Sequence, residues 1–222
     1  MPANYNLQDI LINTVHNHNI NVKQREIFLH SWLDGEIEYG VDYRSAIVLE
    51  KNLRILSSIS KEPIIIHMHM PGGDWEDCMA MYDTIQSCKC HTTILAYGKI
   101  QSSSSVVFQA PDLRILMPNA SMLIHYGSIT LDVEHKAAAS SLQWSAKEAD
   151  KMINIFVDRC IKGQMALEKN WKKLIIKRHI DSQISSKSDW ILSAEEAVYY
   201  GFADGILGQR KYFSIDSLKK YK

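Results

Sequence analysis

The chain has 222 residues, 46% of them hydrophobic, which suits one large domain with a sizeable core and is short for two. Its 25 basic residues balance its 25 acidic ones, which argues against a nucleic-acid binder working by bulk charge. No apolar run approaches membrane-spanning length and no secretory signal is visible at Met1 to Ile20; the four cysteines (Cys78, Cys88, Cys90, Cys160) lack disulfide-framework spacing. No membrane or nucleic-acid partner is therefore expected, and a reducing cytoplasm is the simplest setting.

In chain order, Met1 to Lys23 is rich in Asn and His, with one short apolar patch at Leu7, Ile10, Leu11 and Ile12. Residues 1–24 read as a poorly packed, partly flexible N-terminal segment. Arg25 to Trp32 reads as a first strand and Asp34-Gly35 as a turn. Tyr43 to Ser58 carries Ala46, Ile47, Leu49, Leu53, Ile55 and Leu56 near a helical period. Pro63 leads into a strand, Ile64 to Met68, followed by Met70-Pro71-Gly72-Gly73 and a helix from Glu76 to Ser87. Such a turn lets backbone approach a ligand without side-chain obstruction.

Thr92 to Ala96 is expected as a third strand, followed by a tight serine-rich turn, Gly98 to Ser105, and a helix from Ser104 to Gln109. Strand, turn and helix in that order can present a serine hydroxyl beside free backbone N–H donors. Taken alone, a serine cluster before a helix is more often an N-cap. Two adjacent strand-to-helix turns at one sheet edge would, however, converge on a crevice. Leu113 to Met117 and Ser121 to His125 read as short strands, and Ile129 to Val133 as extended. Ala137 to Lys162 is a long helix, with a wide apolar face from Leu142 to Cys160, ended by Gly163. Lys169 to Arg178 reads as a basic, exposed helix and Ser185 to Ser188 as a loop. Asp189 to Leu192 is extended, Ala194 to Tyr200 is a short helix capped by Ser193, and residues 209–222 form a basic C-terminal tail. No linker divides residues 25–208.

The order of these signals resembles the ClpP family, the proteolytic subunits of Clp proteases. The matching residues are Met70-Pro71-Gly72-Gly73 after a strand and Met81-Tyr82-Asp83-Thr84-Ile85 in the next helix. Gly98 follows with Ser102 four residues on, then Pro118-Asn119-Ala120 leading to Ile124-His125. Last come Asp189, Leu192-Ser193-Ala194-Glu195-Glu196-Ala197 and Tyr200-Gly201-Phe202-Ala203-Asp204. The resemblance implies an α/β, crotonase-like single domain of repeated βα units with a long oligomerisation helix. It also implies a serine endopeptidase of unfolded proteins that assembles as a homo-oligomer, in heptameric rings, two stacked around a chamber, with an AAA+ unfoldase as partner.

The same resemblance makes Ser102 the nucleophile, His125 its base and Asp189 the group that orients the histidine. The oxyanion hole falls to the backbone N–H groups of Gly73 and Ser103. The chain departs from the family in several places. Gln101-Ser102-Ser103 replaces the usual Ala-Ser-Met, Met70 stands where Ser is usual, and Ser128 to His135 lacks glycine. No cofactor is expected, since there is no phosphate-binding loop, and Cys88, Cys90 and His91 have poor zinc spacing. His67 and His69 share one strand face and read as packing residues, and Trp75 as a packing residue or a substrate contact. Three rivals remain: a catalytically silent ring subunit, a crotonase-type acyl-CoA enzyme, and a stand-alone peptidase for one dedicated substrate, as in virus assembly.

Overall fold

The computed structural model describes residues 6–30, 32–34, 37–128, 134–209 and 211–221. The chain begins with a helix, α1 (Leu7–His18), started by a capping box in which Asn6 and Asp9 each accept from the other's backbone N–H. Leu7, Ile10, Leu11 and Ile12 are all exposed on it and no side chain is buried. The helix forms without a buried face because the cap supplies what an apolar face does not, while Ile20 just beyond it is buried in the main core.

The strands β1 (Ile20–Asn21) and β2 (Glu26–His30), a hairpin of β3 (Trp32–Asp34) and β4 (Ile37–Tyr39), and helix α2 (Tyr43–Ile59) follow. The expected first strand begins at Glu26 rather than Arg25. Arg25 turns with φ 58°, and its guanidinium donates to the carbonyls of Leu56, Ser60, Glu62 and Pro63. Gly35 lies outside the described residues. Next come β5 (Ile64–Met70), α3 (Trp75–Gln86), β6 (Thr92–Gln101) and α4 (Ser103–Val107). Then follow β7 (Leu113–Leu116), β8 (Ser121–Ile124), α5 (His135–Cys160), α6 (Gln164–Glu168) and α7 (Lys173–Lys187). The chain finishes with β9 (Trp190–Ser193), α8 (Ala194–Tyr200), β10 (Gly205–Ile206) and α9 (Ile215–Leu218). The expected extended piece Ile129–Val133 falls outside the described residues.

The main sheet runs β1-β2-β5-β6-β7-β10, parallel from β2 to β10, with β1 antiparallel at one edge. Parallel strands are usually buried on both faces, and β7 and the first halves of β5 and β6 are. Ile64, Ile66, Met68 and Met70 of β5 enter a large core under the helices, while Ile65 enters a smaller core on the opposite face. That second face is covered by the chain's last segment, where Tyr212 and Leu218 pack on Ile65, Leu95, Leu113 and Ile115. Lys219 pins the segment down, its Nζ 2.9 Å from Glu26 Oε1. Residues 211–221 are basic but not a free tail.

β6 is twice the expected length. The expected turn at Gly98 is instead a bulge: Met68 lies opposite Ala96 but Met70 opposite Ile100, so two residues of β5 span four of β6. Gly98 takes φ 52°, which only a residue without Cβ adopts easily. The bulge re-aims the strand. Thr93–Ala96 pair with β7, whereas Lys99–Gln101 pair with β8, which in turn pairs antiparallel with β9. The second half of β6 therefore leaves the main layer for a three-stranded extension, β6-β8-β9.

α7 also differs from expectation. It continues through Ser185 and Ser186 to Lys187, because Ile176, Ile180 and Ile184, four apart, are buried in the main core behind its basic outer face.

Candidate active site

The three-stranded extension carries three polar side chains to one edge. Ser102 follows the last residue of β6, His125 follows the last residue of β8, and Asp189 precedes the first residue of β9. Because β9 runs antiparallel to β8, with Ile124 opposite Trp190, the start of β9 lies at the end of β8. Ser102 Oγ is 2.7 Å from His125 Nε2, and His125 Nδ1 is 3.0 Å from Asp189 Oδ1. The tautomer that satisfies both contacts carries its proton on Nδ1, leaving Nε2 to accept from the serine hydroxyl.

The backbone is bent sharply to achieve this. Ser102 has φ 56° and ψ −132°, a region that L-residues rarely occupy and that holds the side chain out at a strand-to-helix turn. Its N–H donates to Leu123 O at 3.0 Å, locking it to β8. The other serines of the run are committed elsewhere. Ser103 Oγ donates to Gly73 O, Ser104 Oγ to Met70 O and Gln101 O, and Ser105 Oγ to Ser102 O. Among the four, Ser102 alone has its hydroxyl on the histidine. On the other side, Ser188 takes φ 61° and ψ −57°, and Asp189 N donates to Lys187 O at 2.7 Å. This γ-turn swings the chain from α7 into β9. Trp190 then fixes the strand, 3% exposed and edge-on to both Tyr200 and Phe202.

Gly73 faces the serine turn. It forms a parallel bridge with Val41, in which Val41 N donates to Gly72 O and Asp74 N to Val41 O. The N–H and C=O of Gly73 itself point away from Val41, because alternate residues of extended chain face opposite sides. Its carbonyl accepts from Ser103 Oγ at 3.1 Å. Gly73 has φ 150°, and a Cβ there would lie 2.1 Å from Val41 O, so no other residue fits. Ser103 opens α4, where a backbone N–H has no intrahelical acceptor.

All five residues singled out in the sequence meet at one cavity of about 430 Å³. Gly73, Ser102, Ser103 and His125 line it, and Asp189 stands behind the histidine. Trp75 lines the cavity and also packs against the main core, in keeping with both readings of it. The α5 lining was not anticipated. Ser145, Glu148, Ala149 and Met152 of α5 line the cavity. Their spacing of three, four and seven marks one helix stripe, of which the sequence reading took only Ala149 and Met152, as apolar core.

A second unanticipated contact is the hydrogen bond from the Tyr126 hydroxyl to Asp181 of α7, which with burial pushes the tyrosine pKa well up. It ties the residue after His125 to the helix that leads to Asp189. Cys78, wholly buried beneath the site, donates to Ser103 O at 3.2 Å, and burial holds its thiol protonated.

The remaining candidates have structural partners. Cys88 Sγ lies 3.3 Å from Ser57 Oγ, Cys90 donates to Ser60 O, and His91 faces Asp112. His67 stacks on Phe28 and bonds Tyr97 OH at 2.8 Å. Among the described residues no helix is long and apolar enough to cross a membrane.

A sequence model of the Clp protease family matches residues 18–210. The chain belongs to the Clp protease family. The "ATP-dependent Clp protease proteolytic subunit 1" of Rhodococcus jostii is 30% identical over 177 residues, covering 77% of this chain and 73% of that protein. The "ATP-dependent Clp protease proteolytic subunit 2" of Mycobacterium leprae is 30% identical over 176 residues, with 77% and 75% covered. Among solved structures, a point mutant of ClpP1 from Listeria monocytogenes superposes with a TM-score of 0.64 at 19% identity, over 89% of this chain and 96% of that one. The fold is thus ClpP/crotonase-like, and the chain is a Clp protease-like peptidase.

Proposed function

We propose that the chain is a serine endopeptidase working through Ser102, His125 and Asp189. The observation that carries this reading is the continuous hydrogen-bond chain from Ser102 Oγ through the imidazole to Asp189, at 2.7 and 3.0 Å, with Ser102 held at a positive φ. Ser102 Oγ attacks the peptide carbonyl carbon while its proton passes to His125 Nε2. Asp189 keeps the Nδ1 proton in place and stabilises the imidazolium. The carbonyl oxygen becomes an oxyanion that accepts from the N–H groups of Gly73 and Ser103, a pair worth roughly 3–4 kcal/mol per donor in hydrolases. Collapse breaks the C–N bond as His125 returns its proton to the leaving amine. Water, deprotonated by the same nitrogen, then attacks the acyl-enzyme and releases the carboxylate and Ser102. No step calls on a metal or a nucleotide.

The family's habit of assembly supports a homo-oligomeric ring, heptameric and stacked in pairs, enclosing these sites. It also supports unfolded protein as substrate, an AAA+ unfoldase as the source of ATP dependence, and a cytoplasmic setting.

Intact mass after treatment with an alkyl fluorophosphonate tests the serine. One adduct on the wild type, absent in Ser102→Ala and in His125→Ala, is the expected result. No adduct on the folded wild type sinks the reading and favours a silent subunit. An adduct that survives Ser102→Ala assigns the wrong serine.

A further inference from the structure

The cavity beside Ser102 and His125 has a mixed lining. Trp75, Ala149 and Met152 supply its apolar surface, beside the polar Tyr126, Ser128 and Ser145. Its charged members are all acidic apart from the histidine itself. Asp74 stands at the start of α3 and Glu148 on α5, and among the described residues no lysine or arginine lines the cavity. Glu148 is half-buried and has no ion pair or hydrogen bond among the described residues. Asp74 spends one oxygen on its helix cap, Oδ1 accepting from Asp77 N at 2.9 Å. Lys147 and Lys151 of α5 line an adjoining groove, which shares Trp75 and Glu148 with the cavity, but they do not line the cavity itself. The potential on the α3 side is negative enough to register on a neighbour: burial raises the pKa of Asp77, and Asp74, Asp42 and Glu76 raise it further.

We infer that this cavity is a specificity pocket for a side chain with an apolar stem and a cationic end, lysine or arginine, on the carbonyl side of the scissile bond. The inference rests on the peptidase reading above and deepens it. A methylene stem lies against Trp75, Ala149 and Met152 while its ammonium or guanidinium reaches the Glu148 carboxylate at the rim, with Asp74 adding long-range attraction. A glutamate side chain in the same place sets like charges together across a half-buried gap, which disfavours binding of that substrate. A neutral norleucine fills the apolar part and leaves Glu148 hydrated. The expected order is therefore lysine, then norleucine, then glutamate.

Peptidyl diphenyl phosphonates identical but for that residue provide the test. Ser102 Oγ displaces phenoxide from phosphorus, so the rate of mass gain reads pocket and serine together without needing a full turnover. The lysine probe should react about tenfold faster than the norleucine probe at low salt, and the glutamate probe slower still. In Glu148→Gln the lysine-to-norleucine ratio should fall towards one, and in Glu148→Lys the glutamate probe should overtake the lysine probe. A wild type that favours norleucine, or a ratio unmoved by both substitutions, overturns the pocket. Alkyl fluorophosphonate, which presents no side chain to the pocket, is run alongside. If it labels Ser102 while the ratios show no charge preference, the pocket inference alone fails. If it does not label, the peptidase reading falls and takes the pocket with it.

Discussion

Ser102 carries its own signature in the backbone. A serine at φ 56°, flanked by three others whose hydroxyls are spent on carbonyls, is placed for one contact. Replacing Asp189 by Asn leaves the shape but permits the wrong histidine tautomer. We expect kcat to drop by about three to four orders of magnitude with KM little changed, measured on a short fluorogenic peptide. The Tyr126–Asp181 hydrogen bond acts at one remove, holding the segment after His125 against α7. Tyr126→Phe should lower kcat several-fold at constant KM, whereas Asp181→Asn, which keeps an acceptor, should lose less. Equal losses in both variants would remove the tyrosine bond from the account. At this scale the sequence was informative because Gly98, Ser102, Pro118, His125 and Asp189 keep a recognisable order. Tyr126–Asp181 was illegible: the two are distant in the chain, and neither follows a repeating pattern.

Among the elements, α7 and β6 teach the most. The serines near the end of α7 read as a loop, since serine competes with the helix backbone for hydrogen bonds. Three isoleucines at four-residue spacing overrode that preference by burying one stripe. Ile180→Ala should therefore destabilise the fold by about 2–5 kcal/mol, as read from urea midpoints. It should also slow fluorophosphonate labelling, because α7 leads directly to Asp189. β6 was cut short in the reading because a glycine between an apolar run and serines looks the same whether it makes a turn or a bulge. Pairing partners decide between them, and those lie elsewhere in the chain. Arg114 on β7 locks the far end of the fold. Its guanidinium meets both Asp204 oxygens, Gln109 Oε1 and Gly201 O. Asp204→Ala strands that buried cation. The cost should be about 3 kcal/mol, the low end of the range for broken buried pairs, because the Asp204 side chain is itself 30% exposed.

For the whole molecule, acid sensitivity has an identifiable source away from the site. His179 lies among Trp171, Trp190 and Tyr200, with Nε2 buried and without a hydrogen-bond partner among the described residues. Burial, then Lys169 and Lys187, hold its pKa below the ordinary 6.5. The unfolded chain therefore binds a proton more readily than the folded one as pH falls below 6.5. The stability this neutral histidine contributes is complete above that value and lost on acidification towards its folded pKa. Urea midpoints should drop between about pH 7.5 and 5.5, and His179→Phe should shrink that drop; an unchanged drop would place the titration elsewhere. The fold class was legible through the family resemblance, and much of the element order because apolar strands, glycine turns and helical periods alternate along the chain. How the last segment packs on the second face of the sheet was not, because its basic residues dominate composition while two side chains, Tyr212 and Leu218, determine its place.

The split of β6 between two partners also sets an order in time. Its first half pairs with β5 and β7, neighbours a few tens of residues away in the chain, but its second half needs β8, and β8 needs β9, some seventy residues later. Closing that longer loop is the slower event. During refolding from denaturant, far-UV ellipticity should recover first and reactivity towards fluorophosphonate last. A chain that has collapsed and regained most of its secondary structure would then still be chemically silent, and a nascent copy could not cleave its neighbours before its own fold is finished.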